Sequence, residues 1–113
     1  LLQLLQNLTS NSIKSFKESN GDKLLEVEAV INNKICSIKV KDTGCGIKDE
    51  DAKHVFDYKF TTTDGCGIGL YHAQYVCEQI GGNITFDRNI DGFSTIFTLT
   101  FNTDGRQTDF NNR

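Results

Sequence analysis

Residues 24–41 read LLEVEAVINNKICSIKVK, two runs rich in Val and Ile on either side of Asn32-Asn33. β-Branched residues in partial alternation predict strands over 24–31 and 34–41. Asn tolerates positive φ better than most residues, so Asn32-Asn33 suits a two-residue hairpin turn. A hairpin makes its strands antiparallel, which favours an antiparallel sheet over the competing parallel α/β arrangement, where each connection needs a long crossover. The alternation is imperfect, because Ile35, Ile38 and Val40 do not all fall on one face.

Working outward, Leu1, Leu4, Leu5, Leu8, Ile13 and Phe16 fit one broad face of a helix over 1–19, and Asn20-Gly21-Asp22 supplies its stop. Lys48-Asp49-Glu50-Asp51 opens a short helix whose early acids suit the N-terminal dipole, with Val55 and Phe56 closing it. A second long helix is expected over 68–80, ending at Gly81-Gly82, followed by strands near 83–88 and 93–101. Helices on one face of a mostly antiparallel, mixed sheet make an α+β two-layer sandwich. The expected domain is 1–101, with 102–113 as a polar tail on the surface.

The 113 residues suit one domain with a single core. Hydrophobic residues at 37% and charged ones at 24% exclude a disordered chain. The basic residues are scattered and the net charge is −3, which disfavours nucleic-acid binding, since that affinity rests on concentrated positive charge. No apolar run is long enough for a bilayer, so no membrane contact is expected from this segment. Cys36, Cys45, Cys66 and Cys77 form no Cys-x-x-Cys pair, which reads as reduced thiols in a cytoplasmic protein. The chain contains no Met, so it reads as part of something longer.

Four segments carry candidate chemistry. Asn7, Asn11 and Lys14 stand at i, i+4 and i+7 on one helical face. A carboxamide oxygen can fill the one or two protein positions that Mg²⁺ usually takes, and a Lys one turn on can act as a point charge toward a terminal phosphate. Taken alone, a solvated polar stripe accounts for the same three residues. Asp42 leaves a hydrophobic strand and is followed by Gly44 and Gly46, so a ligand can approach the backbone closely. Its carboxylate is a candidate acceptor for a purine amine. Gly65, Gly67 and Gly69 alternate just before a helix, which suits polyphosphate. The Walker pattern is excluded because Gly69-Leu70-Tyr71 replaces its Gly-Lys-Ser/Thr, and the dinucleotide fingerprint is excluded by spacing. His54 and His72 read as structural.

In this order the segments resemble the ATP-binding catalytic domain of sensor histidine kinases, of the GHKL superfamily. Residues 5–14 are similar to its N box, Asp42-Thr43-Gly44-Cys45-Gly46-Ile47 to its G1 box, Val55 to Thr63 to its F box, and Gly65-Cys66-Gly67-Ile68-Gly69-Leu70 to its G2 box. The resemblance covers about Leu1 to Phe101 and implies a Bergerat sandwich that binds ATP and Mg²⁺. It implies Asn11 as the metal ligand, with Asn7 beside it and Lys14 toward the γ-phosphate. It implies Asp42 as the adenine reader, shaped by Gly44 and Gly46, with Gly67 and Gly69 on the phosphates. Ile47, Phe60, Thr61, Gly65, Ile68 and Leu70 belong to the same boxes, and Thr95 is similar to a threonine supporting adenine. Thr63 stands where the F box commonly has Lys.

Hydrolysing members of the superfamily carry Glu at the position of Asn7, a base that can deprotonate water. The resemblance therefore implies phosphotransfer rather than hydrolysis. The acceptor would be a histidine on a separate dimerisation domain of the same or a partner chain, with a response regulator downstream. The alternative is a non-catalytic nucleotide-binding or partner-docking module.

Overall fold

The computed structural model describes residues 2–18, 21–57 and 70–103. In chain order the elements are α1 (Leu2–Ser15), a single 3₁₀ turn (Phe16–Glu18), β1 (Leu25–Asn32), β2 (Ile35–Asp42), α2 (Asp49–Ala52), α3 (Tyr71–Gln79), β3 (Asn83–Ile90) and β4 (Phe93–Asn102). The strands form one sheet in the order β1-β2-β4-β3, and every described pairing is antiparallel. α1 and α3 touch each other and share a core with the sheet, which is the expected two-layer α+β sandwich.

The first hairpin forms one residue later than the sequence suggests. Asn32 pairs with Ile35, and the turn residues are Asn33 and Lys34, with φ of 52° and 68°. Two positive φ angles match the twist of antiparallel strands. Moving the turn by one residue displaces the cross-strand pairing by two, so the same side chains still face inward.

On β2 the inward row is Cys36, Ile38, Val40 and Asp42, all buried, while Ile35 turns away. β4 answers with Phe97 and Leu99, paired with Val40 and Ile38. From above, α1 lowers Leu4 and Leu8 onto this row and α3 lowers Ala73 and Cys77. Leu5 packs at the margin, whereas Ile13 is 58% exposed and does not belong to the buried face. The buried positions of α1 are Leu4, Leu8, Ser12 and Ser15, a stripe one helical turn apart that begins apolar and ends in hydroxyls.

β1 lies at the sheet edge, and the helical layer covers it only at Leu25. Val27 and Ile31, on the same face by register, are 50% and 69% exposed. α2 is a single turn, shorter than expected, after which Val55 enters the core and Phe56 meets the Phe86 ring edge-on at 5.9 Å. α3 stops at Ile80, and Gly81 follows with φ of 77°, the expected glycine ending.

Leu8 is fully buried, so Leu8→Ala is expected to lower the unfolding free energy by about 2–5 kcal/mol in urea titrations. Ile13→Ala, on the exposed side of the same helix, should change it by about 0.5 kcal/mol or less.

Candidate functional site

The inward row of β2 ends in a carboxylate, because alternation after Val40 brings Asp42 to the same face, where it is 2% exposed. A buried carboxylate needs donors. Ser12 Oγ on α1 donates to Oδ2 at 2.7 Å, and the Gly44 backbone N–H donates to Oδ1 at 3.0 Å. Ser15 also lies beside the carboxylate, while its hydroxyl donates to the Ser12 carbonyl at 2.6 Å. Burial raises the Asp42 pKa above the ordinary carboxylate value, and the hydrogen bonds from Ser12, Gly44 and Ser15 oppose that rise.

The loop after β2 is tied to α1 and to both neighbouring strands. Cys45 N–H donates to the Ser15 carbonyl at 3.1 Å, and Ser94 Oγ donates to the Gly44 carbonyl at 2.8 Å. Thr43 bridges back toward β1, with its hydroxyl on the Asp22 carbonyl at 2.6 Å and accepting from Leu24 N–H at 2.9 Å. Arg88 Nη1 on β3 donates to the Ile47 carbonyl at 2.9 Å and to Asp49 at 2.8 Å. A Cβ at Gly44 would fall 1.9 Å from Ser15 Oγ and 2.7 Å from Ser15 Cβ, so only glycine lets the loop approach α1 this closely. Gly46 has φ of 75°, a left-handed conformation that other residues rarely adopt.

These ties leave a recess lined by Asn11, Ser12, Ser15, Asp42, Gly46, Thr95 and Phe97. Asp42 is the one charged side chain among the described residues that line it. Four residues expected from the sequence therefore meet here: Asn11, Asp42, Gly46 and Thr95. Thr95 is buried and pairs directly with Asp42 across β2 and β4. Asn7 lies half-buried one turn before Asn11, and Lys14 is exposed. Ile47 and Leu70 are members of the hydrophobic core. Phe60, Thr61, Gly65, Gly67, Ile68 and Gly69 lie outside the described residues.

Ser12, Ser15 and Phe97 line the recess without having been singled out from the sequence. The available signal was the stripe 4, 8, 12, 15, which places two serines where the helix meets the sheet. Two further corrections concern side chains outside the recess. His54 Nδ1 lies 2.8 Å from Asp57 Oδ2, giving it the acidic partner the sequence did not indicate. Cys36 and Cys77 are free and buried, with the Cys77 thiol pushed up to about 11 by burial and then by Glu78. Cys45 is disulfide-bonded, contrary to the expected reduced thiol.

The recess thus combines an acceptor carboxylate, an aromatic ring, a threonine hydroxyl and a neutral carboxamide. Residues 1–105 match the family described as histidine kinase-, DNA gyrase B-, and HSP90-like ATPase. The chain belongs to this family. Among relatives, it is 34% identical to the signal transduction histidine-protein kinase ArlS of Staphylococcus haemolyticus over 88% of its own length and 22% of that protein. The catalytic domain of histidine kinase ThkA superposes with a TM-score of 0.71 at 22% identity, covering 89% of this chain and 65% of that one, which establishes the shared fold. Full-length ShkA, solved in complex with AMPPNP, gives a TM-score of 0.65 at 26% identity over 87% of this chain and 20% of its own. The chain thus corresponds to the ATP-binding catalytic domain of sensor histidine kinases and spans about a fifth of ArlS. Among the described residues no helix is long and apolar enough to cross a membrane.

The raised pKa of Asp42 has a consequence for stability in this ATPase-family domain. An acid whose pKa rises on folding holds its proton more tightly when folded, so that stabilisation is present in acid and lost as pH rises through the raised value. Asp42→Asn is neutral at every pH and keeps an acceptor for the Gly44 N–H. Its thermal midpoint, followed by circular dichroism, is expected to exceed the parent's at about pH 8 and to converge on it toward about pH 4. A constant gap would contradict the assignment.

Proposed function

We propose that this chain binds Mg-ATP in the Asp42 recess and presents the γ-phosphate to a histidine on a separate phosphoacceptor domain. The observation that carries the proposal is the placement of Asn11 and Asp42 in one recess that Thr95 and Phe97 of β4 also line. Asp42 is held by donors from Ser12 and Gly44, and each carboxylate oxygen keeps a second lone pair for an adenine amine. Phe97 and Thr95 give the base an apolar wall with one hydroxyl. Asn11 supplies a neutral oxygen of the kind that completes a Mg²⁺ sphere made mostly of phosphate and water. The cation, when bound, neutralises charge on the phosphates.

Asn7, one turn before Asn11, carries no group able to take a proton from water. ATP in this recess is therefore spared hydrolysis until an imidazole nitrogen attacks the γ-phosphorus, the bond to the β-phosphate oxygen breaks, and ADP leaves. Lys14, exposed on the same helical face, is free to swing toward the terminal phosphate as a point charge. The family match, the kinship with ArlS and the AMPPNP bound to ShkA support this reading. Because the chain spans a fifth of ArlS, the acceptor histidine is assigned to another segment or partner, and a response regulator would receive the phosphoryl group afterwards.

Two measurements check the proposal. Asp42→Asn, which puts a donor where the adenine amine needs an acceptor, should weaken ADP binding by about 1–3 kcal/mol in calorimetry. Labelled ATP with Mg²⁺ and a supplied dimerisation domain should yield acid-labile phosphohistidine on that domain. ADP binding with no transfer to any acceptor would leave a docking module as the better description.

A further inference from the structure

We propose that Ser12 is a positioning residue for base recognition: its hydroxyl fixes the Asp42 carboxylate so that the recess selects 6-aminopurine nucleotides over 6-oxopurine ones. This inference rests on the adenine reading of the recess. Ser12 is 1% exposed and occupies a buried position of α1 that Leu8 and Leu4 occupy one and two turns earlier. Alanine would serve the packing there and improve helix propensity. The hydroxyl is explained by its contact, a 2.7 Å bond of the short, charge-assisted kind, to Asp42 Oδ2.

Two donors on two different oxygens fix both the position and the plane of a carboxylate. Gly44 N–H holds Oδ1 and Ser12 holds Oδ2, so the direction of the remaining lone pairs is set by the fold. Ser15 lies beside the carboxylate as well, but its one hydroxyl hydrogen is directed to the Ser12 carbonyl at 2.6 Å, so Ser12 is the side chain that holds Oδ2. A fixed, acceptor-only group accepts from a 6-amino substituent and repels a 6-oxo oxygen. With Ser12 removed, the carboxylate loses its 2.7 Å donor on Oδ2 and keeps Gly44 N–H on Oδ1, with Ser15 beside it. It can then rotate or carry a proton that donates to a 6-oxo group, a change favoured by the burial that already raises its pKa.

The test is a double-mutant cycle read by calorimetry on the whole chain, with ADP and inosine diphosphate as ligands. Ser12→Ala is expected to weaken ADP binding about tenfold while changing inosine diphosphate binding by about twofold or less. In the Asp42→Asn background the same substitution should alter ADP binding by about twofold or less, since the group through which Ser12 acts is gone. A general loosening of the fold would instead weaken both ligands alike and persist in the Asp42→Asn background; either result overturns the role of Ser12. A parent chain without preference for ADP over inosine diphosphate overturns the adenine reading itself, and is recognised before any variant is compared.

Discussion

The constraint on which the site depends is a carboxylate buried at the end of an otherwise apolar row. Strand alternation carries Cys36, Ile38 and Val40 into the core and delivers Asp42 to the same face. An isolated charge there would cost several kcal/mol unless donors compensate it. The surrounding fold provides them: a serine hydroxyl from the helix above, a backbone N–H from the loop beyond, and no buried side-chain polar atom left without a partner among the described residues. Burial still raises the Asp42 pKa. The domain thus keeps a buried carboxylate whose raised pKa lowers the stability of the fold as pH rises through it.

The loop carrying Gly44 and Gly46 is held at three points. It is anchored at the end of α1 through Ser15, at β4 through Ser94 and at β3 through Arg88. Three elements therefore converge on a handful of loop residues. The close approach of Gly44 to Ser15 makes this possible, since a methyl group at that position would separate loop from helix and remove the Gly44 N–H from Asp42. The close packing of loop on helix and the backbone donor to Asp42 have a common cause here.

How far the sequence discloses this depends on which physical signal is local. Four strands, the glycine ending of α3 and the hairpin follow from nearest-neighbour chemistry, and all are present. The exact turn was not legible, because Asn32-Asn33 and Asn33-Lys34 leave the same residues facing inward and differ only in cross-strand partner. Asn11, Asp42, Gly46 and Thr95 could be named as candidates, but their meeting in one recess depends on pairing β2 with β4 across more than fifty residues. Ile47 and Leu70 fall within recognisable boxes yet pack into the core, since a motif does not say which way an apolar side chain turns. Ser12 was hidden for the opposite reason. A serine among leucines reads as a weak spot in an amphipathic stripe until the carboxylate beneath it is known.

The phase of α1 links the two ends of the recess. Asn11 and Ser12 are consecutive, so their side chains diverge by about 100° around the helix. When Leu4 and Leu8 seat on the sheet, Ser12 points down onto Asp42 and Asn11 is left at the rim. Turning the helix by one residue would place Ile13 over the carboxylate and withdraw its donor, while lifting both leucines toward water. Hydrophobic seating of the helix therefore also sets the spacing between the Asp42 carboxylate and the Asn11 carboxamide. The apolar seating of Leu4 and Leu8 and the hydrogen bond from Ser12 to Asp42 favour the same helix phase.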